Sequence, residues 1–144
     1  MFAPTYGKLY SHEVVKNTKN VCPVGYSVPS QQDWLDLISW LAGNTPSFAG
    51  KEAVALKAML AGWNSSSSAG GTEIDFYGFN ILPSGFRAAT AYGGQFDQAK
   101  FWSSTSSAGN NAVRASLSSI NNIIDIASEF NNQGMSIRCL QKTP

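Results

Sequence analysis

The sequence is poor in charge, and this shortage excludes one class of partner. Charged residues make up 13% of the 144-residue chain, about half of the share that is usual in globular proteins. The ten basic and nine acidic side chains leave a net charge of +1, and they form no basic run. Because nucleic-acid affinity depends mainly on Lys and Arg side chains that neutralise phosphates, we expect no nucleic-acid partner.

Long apolar runs are also missing. No stretch of the chain approaches the roughly 18 apolar residues that a membrane span requires, so we expect no insertion of this domain into a membrane. The first residues, MFAPTYGKLYSHE, contain no apolar signal region. Either the protein is not secreted by the standard route, or its signal segment has been removed.

The groups that catalyse reactions or hold metals are scarce. His12 is the single histidine, which leaves too few His and Cys ligands for a zinc site, and no serine lies in a GxSxG motif. Glu73 and Asp75 could act as an acid–base pair or hold calcium, although the edge of a solvated loop has the same composition. We therefore expect no enzymatic activity, no metal site and no cofactor.

The two cysteines, Cys22 and Cys139, lie near opposite ends of the sequence. Their spacing fits no redox or zinc motif of the CxxC kind. If they pair, the bridge closes most of the domain into one loop and stabilises it by up to about 4.7 kcal/mol through chain entropy. Two free buried thiols in a cytosolic protein would fit the composition equally well.

Two helices are predicted in the first half of the chain. Ser30 is a suitable N-cap residue, and Asp33 resembles the acidic member of a capping box. Gly43 is the expected end of this helix. A second helix is expected at about 51–60, and a first strand or hairpin at 5–15. The apolar residues at helical spacing are Trp34, Leu35, Leu37, Ile38 and Leu41 in the first helix, and Val54, Leu56, Met59 and Leu60 in the second.

The helical period disappears after residue 72, where short apolar segments alternate with glycine-bearing turns. The predicted strands are 79–82, 85–88, 100–104, 112–118, 121–127 and 135–140. Because helices precede strands, the fold class is expected to be α+β, with two helices followed by a meander of short antiparallel strands. The length fits a single domain that covers residues 1–144.

Residues 103–134 are rich in Asn and Ser, and we predict that the ligand binds there. Antibody paratopes combine Tyr, Ser, Gly and Asn as adaptable contacts of low entropic cost. Turn chemistry alone also favours Asn and Ser, but here the Asn pairs alternate with apolar residues, which indicates an ordered scaffold. The predicted ligand-binding residues are Asn110, Asn111, Val113, Ala115, Ser119, Asn121, Asn122, Ile124, Asp125 and Glu129.

Six blocks of sequence form a recognisable series between residues 6 and 140. They are YGKLY at 6–10, CPVGYSVPS with DW at 22–34, AGK with LK at 49–57, GFNILPSGFR at 78–87, FWSST at 101–105 and SIRCL at 136–140. In this order they resemble the Fibrobacter succinogenes major paralogous domain. Tyr26 stands where that family usually has Trp, and Lys51 and Leu56 lie farther apart than is usual.

The resemblance implies a C-type-lectin-like fold, which occurs in secreted and surface proteins of bacteria. In such folds the first and last strands pair, which would bring Cys22 close to Cys139 and would favour a disulfide. It also implies an extracellular location, at a cell surface or on a phage particle. Trp34 and Trp102 are then expected in the core, and Arg138 is expected as a buried, paired structural charge.

Lectin-like domains that resemble this family include targets of diversity-generating retroelements, which rewrite adenine-containing codons near the end of a gene. The composition between FWSST and SIRC fits such rewriting. Val113 stands where the family often has an aromatic residue, which diversification and ordinary drift would explain equally well.

The expected function is therefore a non-enzymatic ligand-binding module on a surface, with a C-terminal recognition face for a protein or a glycan. Two alternatives stay open. One is a structural or assembly module of a surface or phage-tail protein. The other is an enzyme related to formylglycine-generating enzymes, which share a lectin-like fold but depend on active-site cysteines or copper. The calcium-linked sugar motifs of lectins are absent, and fold alone does not fix the ligand.

Overall fold

A long helix packs against a five-stranded sheet in the computed structural model, which describes residues 6–58, 62–64 and 75–143. The helices are α1 (His12–Lys16), α2 (Gln31–Asn44) and α3 (Glu52–Leu56), and a 3-10 turn covers Pro46–Phe48. The strands are β1 (Tyr26–Ser27), β2 (Ser84–Arg87), β3 (Tyr92–Gln95), β4 (Gln98–Ser106), β5 (Asn111–Ser118), β6 (Asp125–Phe130) and β7 (Leu140–Gln141). The fold class is α+β, as the sequence predicts.

Helix α2 begins where its capping residues indicate. The Asp33 backbone N–H donates to Ser30 Oγ at 3.1 Å, and the Ser30 backbone N–H donates to Asp33 Oδ2 at 2.7 Å, which completes the expected capping box. The helix ends at Asn44 rather than at Gly43, and the Thr45 N–H donates to Leu41 O. Trp34 and Leu41 are its buried residues, whereas Leu35 is exposed.

Two predicted strands are shifted: 121–127 is observed as β6 (Asp125–Phe130), and of 135–140 only Leu140 belongs to a strand, β7, while Met135 and Ser136 make isolated bridges. Three other predicted elements differ from the structure because backbone pairing with distant segments replaces local periodicity. Within the strand or hairpin predicted at 5–15, the described residues 6–15 form no strand; Tyr10 makes an isolated bridge with Met135, and α1 follows. The second helix is only Glu52–Leu56, since Lys57 then bridges Ile81. That bridge is also the only strand-like pairing within the predicted strand 79–82. The predicted core residues Met59 and Leu60 lie outside the described residues.

The sheet is not a simple meander. Its strand order is β3-β2-β4-β5-β6, so the chain passes from the edge strand β3 back across β2 to reach β4. As a result β2 pairs with β4 in parallel, at Gly85 and Ala99, while the other neighbouring strands are antiparallel. Strands β4 and β5, with nine and eight residues, are also longer than the short strands that we expected.

The two ends of the domain are joined. Strand β1 pairs antiparallel with β7, with Tyr26 opposite Gln141, and Cys22 forms a disulfide with Cys139 across 117 positions. The bond is compatible with an extracellular location, because disulfides persist in oxidising surroundings. Within the part of the chain that the structure describes, no helix has the length and apolar character to cross a bilayer.

Each face of the sheet has its own apolar core. Phe101 lies with its ring centroid 5.7 Å from that of Trp34, in the larger core between the sheet and α2. The next residue, Trp102, points to the opposite face because strand residues alternate. There it packs with Ala112 and Met135, and its indole N–H donates to Tyr10 O at 2.8 Å. Both tryptophans are fully or almost fully buried, so their predicted core positions are confirmed.

Candidate functional site

The ten residues predicted to bind a ligand belong to the β5–β6 hairpin and its flanks, but they do not form one face. Asn110 and Asn111 lie at the end where β5 begins, and the Asn131 N–H donates to Asn110 O there. Residues 119–125 lie at the hairpin turn. The length of β5 separates these two ends by about 23 Å, at roughly 3.3 Å per residue.

Four of the ten are buried. They are Val113, Ala115, Ser119 and Ile124. Strand β5 lies between β4 and β6, and Ala115 and Ile124 belong to the main core. Ser119 is held by Asp97, to which its hydroxyl donates at 3.0 Å. A ligand that docks on the surface cannot reach these side chains. We therefore assign the four residues to the scaffold of the sheet and not to the ligand contacts that the sequence predicted.

An open concavity lies at the turn end of the hairpin, and two of the predicted residues, Asn121 and Asp125, line it. We call it the hairpin concavity. Its volume is about 270 Å³, and its lining residues are Gln98, Lys100, Arg114, Ser116, Ser118, Ile120, Asn121, Ile123 and Asp125. Asn110, Asn111 and Asn122 are exposed or partly exposed but do not line it.

A network of paired charges forms the floor of the hairpin concavity. Lys100 Nζ donates to Glu129 Oε1 at 2.8 Å, and Arg114 Nε donates to the same oxygen at 3.4 Å. Arg114 Nη1 donates to Asp125 Oδ2 at 2.5 Å and to its backbone oxygen at 3.0 Å. The two cations and two carboxylates balance, so the floor is polar and neutral overall.

Glu129 holds this network together, although it does not itself line the concavity. Burial alone would raise the pKa of its carboxyl, but the hydrogen bond and charge of Lys100, the charge of Arg114 and a hydrogen bond from Gln133 lower that pKa below its ordinary value. The carboxylate is therefore ionised at neutral pH. Its partners Lys100 and Arg114 were missed by the sequence prediction, although each is a lone charge within an apolar strand segment and such charges require partners when buried.

The turn of the hairpin is held in place by hydrogen bonds from Ala53, in α3, and from Lys57, the residue that follows this helix. The buried Lys57 donates to Ser118 O at 2.6 Å and to Asn121 O at 3.0 Å. The Ala53 N–H donates to Asn122 O at 2.9 Å. Above these contacts, Ile120 and Ile123 are 66% and 44% exposed. The rim of the concavity is thus an ordered loop that presents two apolar side chains to solvent.

The FWSST block is a scaffold for the sheet. Ser103 Oγ donates to Val113 O at 2.9 Å and accepts from the Thr105 N–H at 3.1 Å. Thr105 Oγ1 accepts from the Gln31 N–H at 2.9 Å. These contacts tie β4 to β5 and to the start of α2.

The lone histidine occupies the interior. His12 Nε2 donates to Ser103 O at 2.9 Å, and its ring lies 5.0 Å from that of Trp102. Burial lowers the pKa of His12, against the opposing effect of the Ser103 hydrogen bond. Among the described residues, no three His, Cys, Asp or Glu side chains are grouped to hold a metal ion. Glu73, one member of the predicted carboxylate pair, lies outside the described residues.

Arg138 differs from the buried, paired charge that was expected. It is only partly buried, and its guanidinium lies 3.8 Å from the centroid of the Phe79 ring. Burial lowers the pKa of Arg138, and the charge of Asp75 opposes this effect. No hydrogen bond or ion pair joins the guanidinium to any residue within 6–58, 62–64 and 75–143.

Comparison with known proteins gives a family but no relative of known activity. No curated protein and no solved structure matches the chain. The family model described as the Fibrobacter succinogenes major domain matches residues 3–141, a range that contains all six sequence blocks. With nearly the whole chain matched, the protein belongs to the Fibrobacter succinogenes major domain family.

Proposed function

We propose that this domain is a non-enzymatic ligand-binding module displayed on a surface, and that the hairpin concavity is its recognition site. The exposed isoleucines on the rim, Ile120 and Ile123, carry the proposal. Interfaces concentrate their binding energy in a few apolar anchors surrounded by polar groups. Two apolar anchors beside a neutral polar floor favour a protein partner over a glycan.

The fixed position of the rim supports the same proposal. Lys57 and Ala53 hold the backbone of the turn through three hydrogen bonds. A loop that is ordered before binding loses less conformational entropy when a partner docks. The conformation of the rim is therefore suited to recognition without a folding step.

The bonding state of the cysteines supports a binding function over the enzymatic alternative. Cys22 and Cys139 are joined to each other, so neither offers the free thiol on which a reaction of the formylglycine-generating kind depends. Reaction with an alkylating reagent followed by mass measurement tests this directly. A modified cysteine on the folded, non-reduced domain would favour the enzyme instead.

The test of the recognition site begins with arrays of surface proteins and glycans that are probed with the folded domain. For the partner found, Ile120→Ser with Ile123→Ser should weaken binding at least about tenfold, because two apolar anchors are lost. Phe130→Ser is the matched control, since Phe130 is equally exposed but lies at the other end of the hairpin.

Two outcomes contradict this assignment. Binding that survives the double isoleucine change, with an unchanged melting temperature, would place the recognition site elsewhere. Concentration-dependent self-association with no external ligand, abolished by the same change, would favour the structural or assembly module. Sedimentation velocity of the wild-type domain separates these cases.

We further propose that the architecture is C-type-lectin-like. The pairing of β1 with β7, the disulfide beside it and the long helix packed on a sheet support this assignment. An experimental structure that superimposes on lectin-like domains across both the terminal strand pair and the β4–β5–β6 strands would establish it. A different connection of these strands would refute it.

We also propose that a retroelement diversifies this domain and that the changes are limited to accessible positions. Asn110, Asn121 and Asp125 are exposed, and Asn111, Asn122 and Glu129 are partly exposed. We propose that sister genes differ at adenine-containing codons for these residues and keep the buried positions of β5 apolar. Substitutions that are spread evenly along the chain would contradict the proposal.

A further inference from the structure

A second surface, separate from the hairpin concavity, has the features of a binding groove. Two concavities of about 580 and 340 Å³ adjoin, because Tyr6, Gly7, Lys8 and Ser84 line both of them. We call their union the basic groove. Among the described residues it shares no lining residue with the hairpin concavity, so its function can be tested independently of the function proposed above.

The charged side chains that line the basic groove, among the described residues, are all positive. Lys8, Arg87 and Arg138 line it, whereas no Asp or Glu is found among its described lining residues. This asymmetry arises in a chain that has ten basic and nine acidic residues. In the hairpin concavity, by contrast, Lys100 and Arg114 are each neutralised by a carboxylate. A groove that is lined by three cations and by no described carboxylate favours an anionic ligand.

Arg138 is the most constrained of the three cations. The face of its guanidinium rests on Phe79, which leaves the N–H groups at its edge without acceptors among the described residues. The carboxyl group of Asp75 acts on Arg138 through its charge, and one of its oxygens accepts the Asn80 N–H at 2.7 Å. A guanidinium that rests on an aromatic ring, with no acceptor for its N–H groups among the described residues, can bind a planar carboxylate through two parallel N–H groups.

The other lining residues indicate the rest of the ligand. Aromatic rings are supplied by Tyr6, Tyr10, Phe86 and Tyr92, and Tyr92 is 77% exposed. Uncharged hydrogen-bonding groups are supplied by Asn80, Ser84, Gln95 and Ser136. Flat rings beside uncharged donors and acceptors suit sugar rings, which have apolar C–H faces and hydroxyl edges. Three cations are few for a nucleic-acid strand, which has a phosphate at every nucleotide.

Four of the six sequence blocks meet at this groove. YGKLY supplies one wall, GFNILPSGFR supplies Ser84, Phe86 and Arg87, FWSST supplies Phe101, and SIRCL supplies Ser136 and Arg138. Packing explains the apolar residues of these blocks. It does not explain why their three basic side chains line one groove that no described carboxylate lines.

We propose that the basic groove binds an acidic oligosaccharide, with Arg138 paired to a sugar carboxylate and with Lys8 and Arg87 in contact with carboxylates of neighbouring sugars. The tyrosine rings contact the C–H faces of the sugars, and the amide and hydroxyl side chains bind their hydroxyl groups. Binding is weakened by salt, because Lys8 and Arg87 are exposed and their charges are screened.

The test is a titration of the full chain with an oligomer of galacturonic acid, followed by calorimetry and by the NMR signals of the arginine side chains. A neutral oligosaccharide of the same length serves as the ligand control. We expect saturable binding of the acidic oligomer alone and a shift of the Arg138 Nε–H signal. Binding of both oligomers with equal affinity, or of neither, overturns the proposal.

Single substitutions at the three cations test whether the acidic oligosaccharide binds in the basic groove. Lys8→Gln and Arg87→Gln should each weaken binding about fivefold, and Arg138→Met should weaken it by about tenfold or more. Lys19→Gln is the matched control, because Lys19 is exposed and lies outside the groove. If Arg138→Met lowers the melting temperature, the two exposed positions still decide the test. An equal effect of Lys19→Gln would show attraction to net charge alone and would overturn the site.

Two further ligands test the class of macromolecule. A poly-glutamate peptide presents carboxylates without sugar rings, and a single-stranded oligonucleotide presents phosphates with aromatic bases. We expect both to bind at least tenfold more weakly than the uronic acid oligomer of similar charge, a difference of about 1.4 kcal/mol. Equal or tighter binding of either one overturns the assignment to an oligosaccharide.

Discussion

At the scale of single residues, the interior of this domain contains two ionisable groups whose partners are backbone carbonyls. His12 donates to Ser103 O, and Lys57 donates to Ser118 O and Asn121 O. Neither contact joins segments that are close in sequence. From the sequence alone, His12 could be placed only as a surface or packing residue, because its acceptor is an ordinary peptide carbonyl that has no sequence signature.

The first prediction concerns His12 and pH. Its folded-state pKa is lowered, first by burial, with Lys16 in the same direction and the Ser103 hydrogen bond and Glu13 against it. The unfolded chain therefore takes up the proton first as pH falls. The stability linked to His12 is complete above the unfolded pKa of about 6.5 and decreases as pH falls below that value.

Urea unfolding at about pH 7.5 and pH 5.5 measures this effect. As the pH is lowered between these two values, we expect the free energy of unfolding to decrease more for the wild-type domain than for His12→Gln. The glutamine keeps a donor for Ser103 O but does not titrate. Glu13→Gln controls for the nearby exposed carboxylate. The same pH dependence in wild type and His12→Gln would contradict the assignment.

The second prediction concerns Lys57. Replacement by Met keeps the apolar stem but removes the donors to Ser118 O and Asn121 O. The domain should lose about 2 kcal/mol, since two hydrogen bonds from a charged donor are removed, and amide hydrogens of residues 118–123 should exchange faster. Lys51→Met, at an exposed position just before α3, should change neither. Unaltered exchange in Lys57→Met would show that other contacts fix the turn.

At the scale of elements, local signals predicted helix α2 well and the shorter elements poorly. The Ser30–Asp33 capping box acts within four residues, so sequence reasoning identifies it directly. Helix α3 ends early because residues 57 and 58 pair with Ile81, and the order of β2 and β4 depends on a crossover through β3. Such long-range pairing leaves little trace in the hydrophobic period.

Gly85 provides a test of the close approach of β2 to the edge strand β3. Its φ is +70°, and an added Cβ would lie 2.4 Å from Gly93 O. Gly85→Ala should therefore destabilise the domain by about 2 kcal/mol or more, through both strain and overlap. Gly43→Ala is the contrasting control, since that helical position has nothing within 4 Å and should gain about 0.5–1 kcal/mol.

Equilibrium unfolding of the two variants gives the comparison. A decrease for Gly85→Ala together with an increase for Gly43→Ala supports the close approach of β2 and β3. Wild-type stability in Gly85→Ala would mean that β2 and β3 lie farther apart than described.

At the scale of the whole molecule, the sequence located the segment of the proposed recognition site but not its face. Residues 103–134 do contain Asn121 and Asp125, which line the hairpin concavity. Val113 and Ala115 were misplaced because composition cannot show that β5 lies between two strands and beneath a helix. The groove lined by Arg138 was missed for the opposite reason, since its lining residues come from several segments that are separated in sequence.

The disulfide is the one covalent link that acts on the entire chain, because it closes a loop of 117 positions. Cys22→Ala with Cys139→Ala should lower the free energy of unfolding by about 2–4 kcal/mol, chiefly because the unfolded chain regains freedom. A reducing agent should destabilise the wild-type domain by a similar amount and leave the double variant unchanged. Neither cysteine lines the hairpin concavity, so the surviving folded fraction should bind the partner of that site with wild-type affinity; the basic groove is not part of this comparison, because Cys139 adjoins its residue Arg138. Reduced affinity in that fraction would show that the terminal strand pair also positions a binding surface.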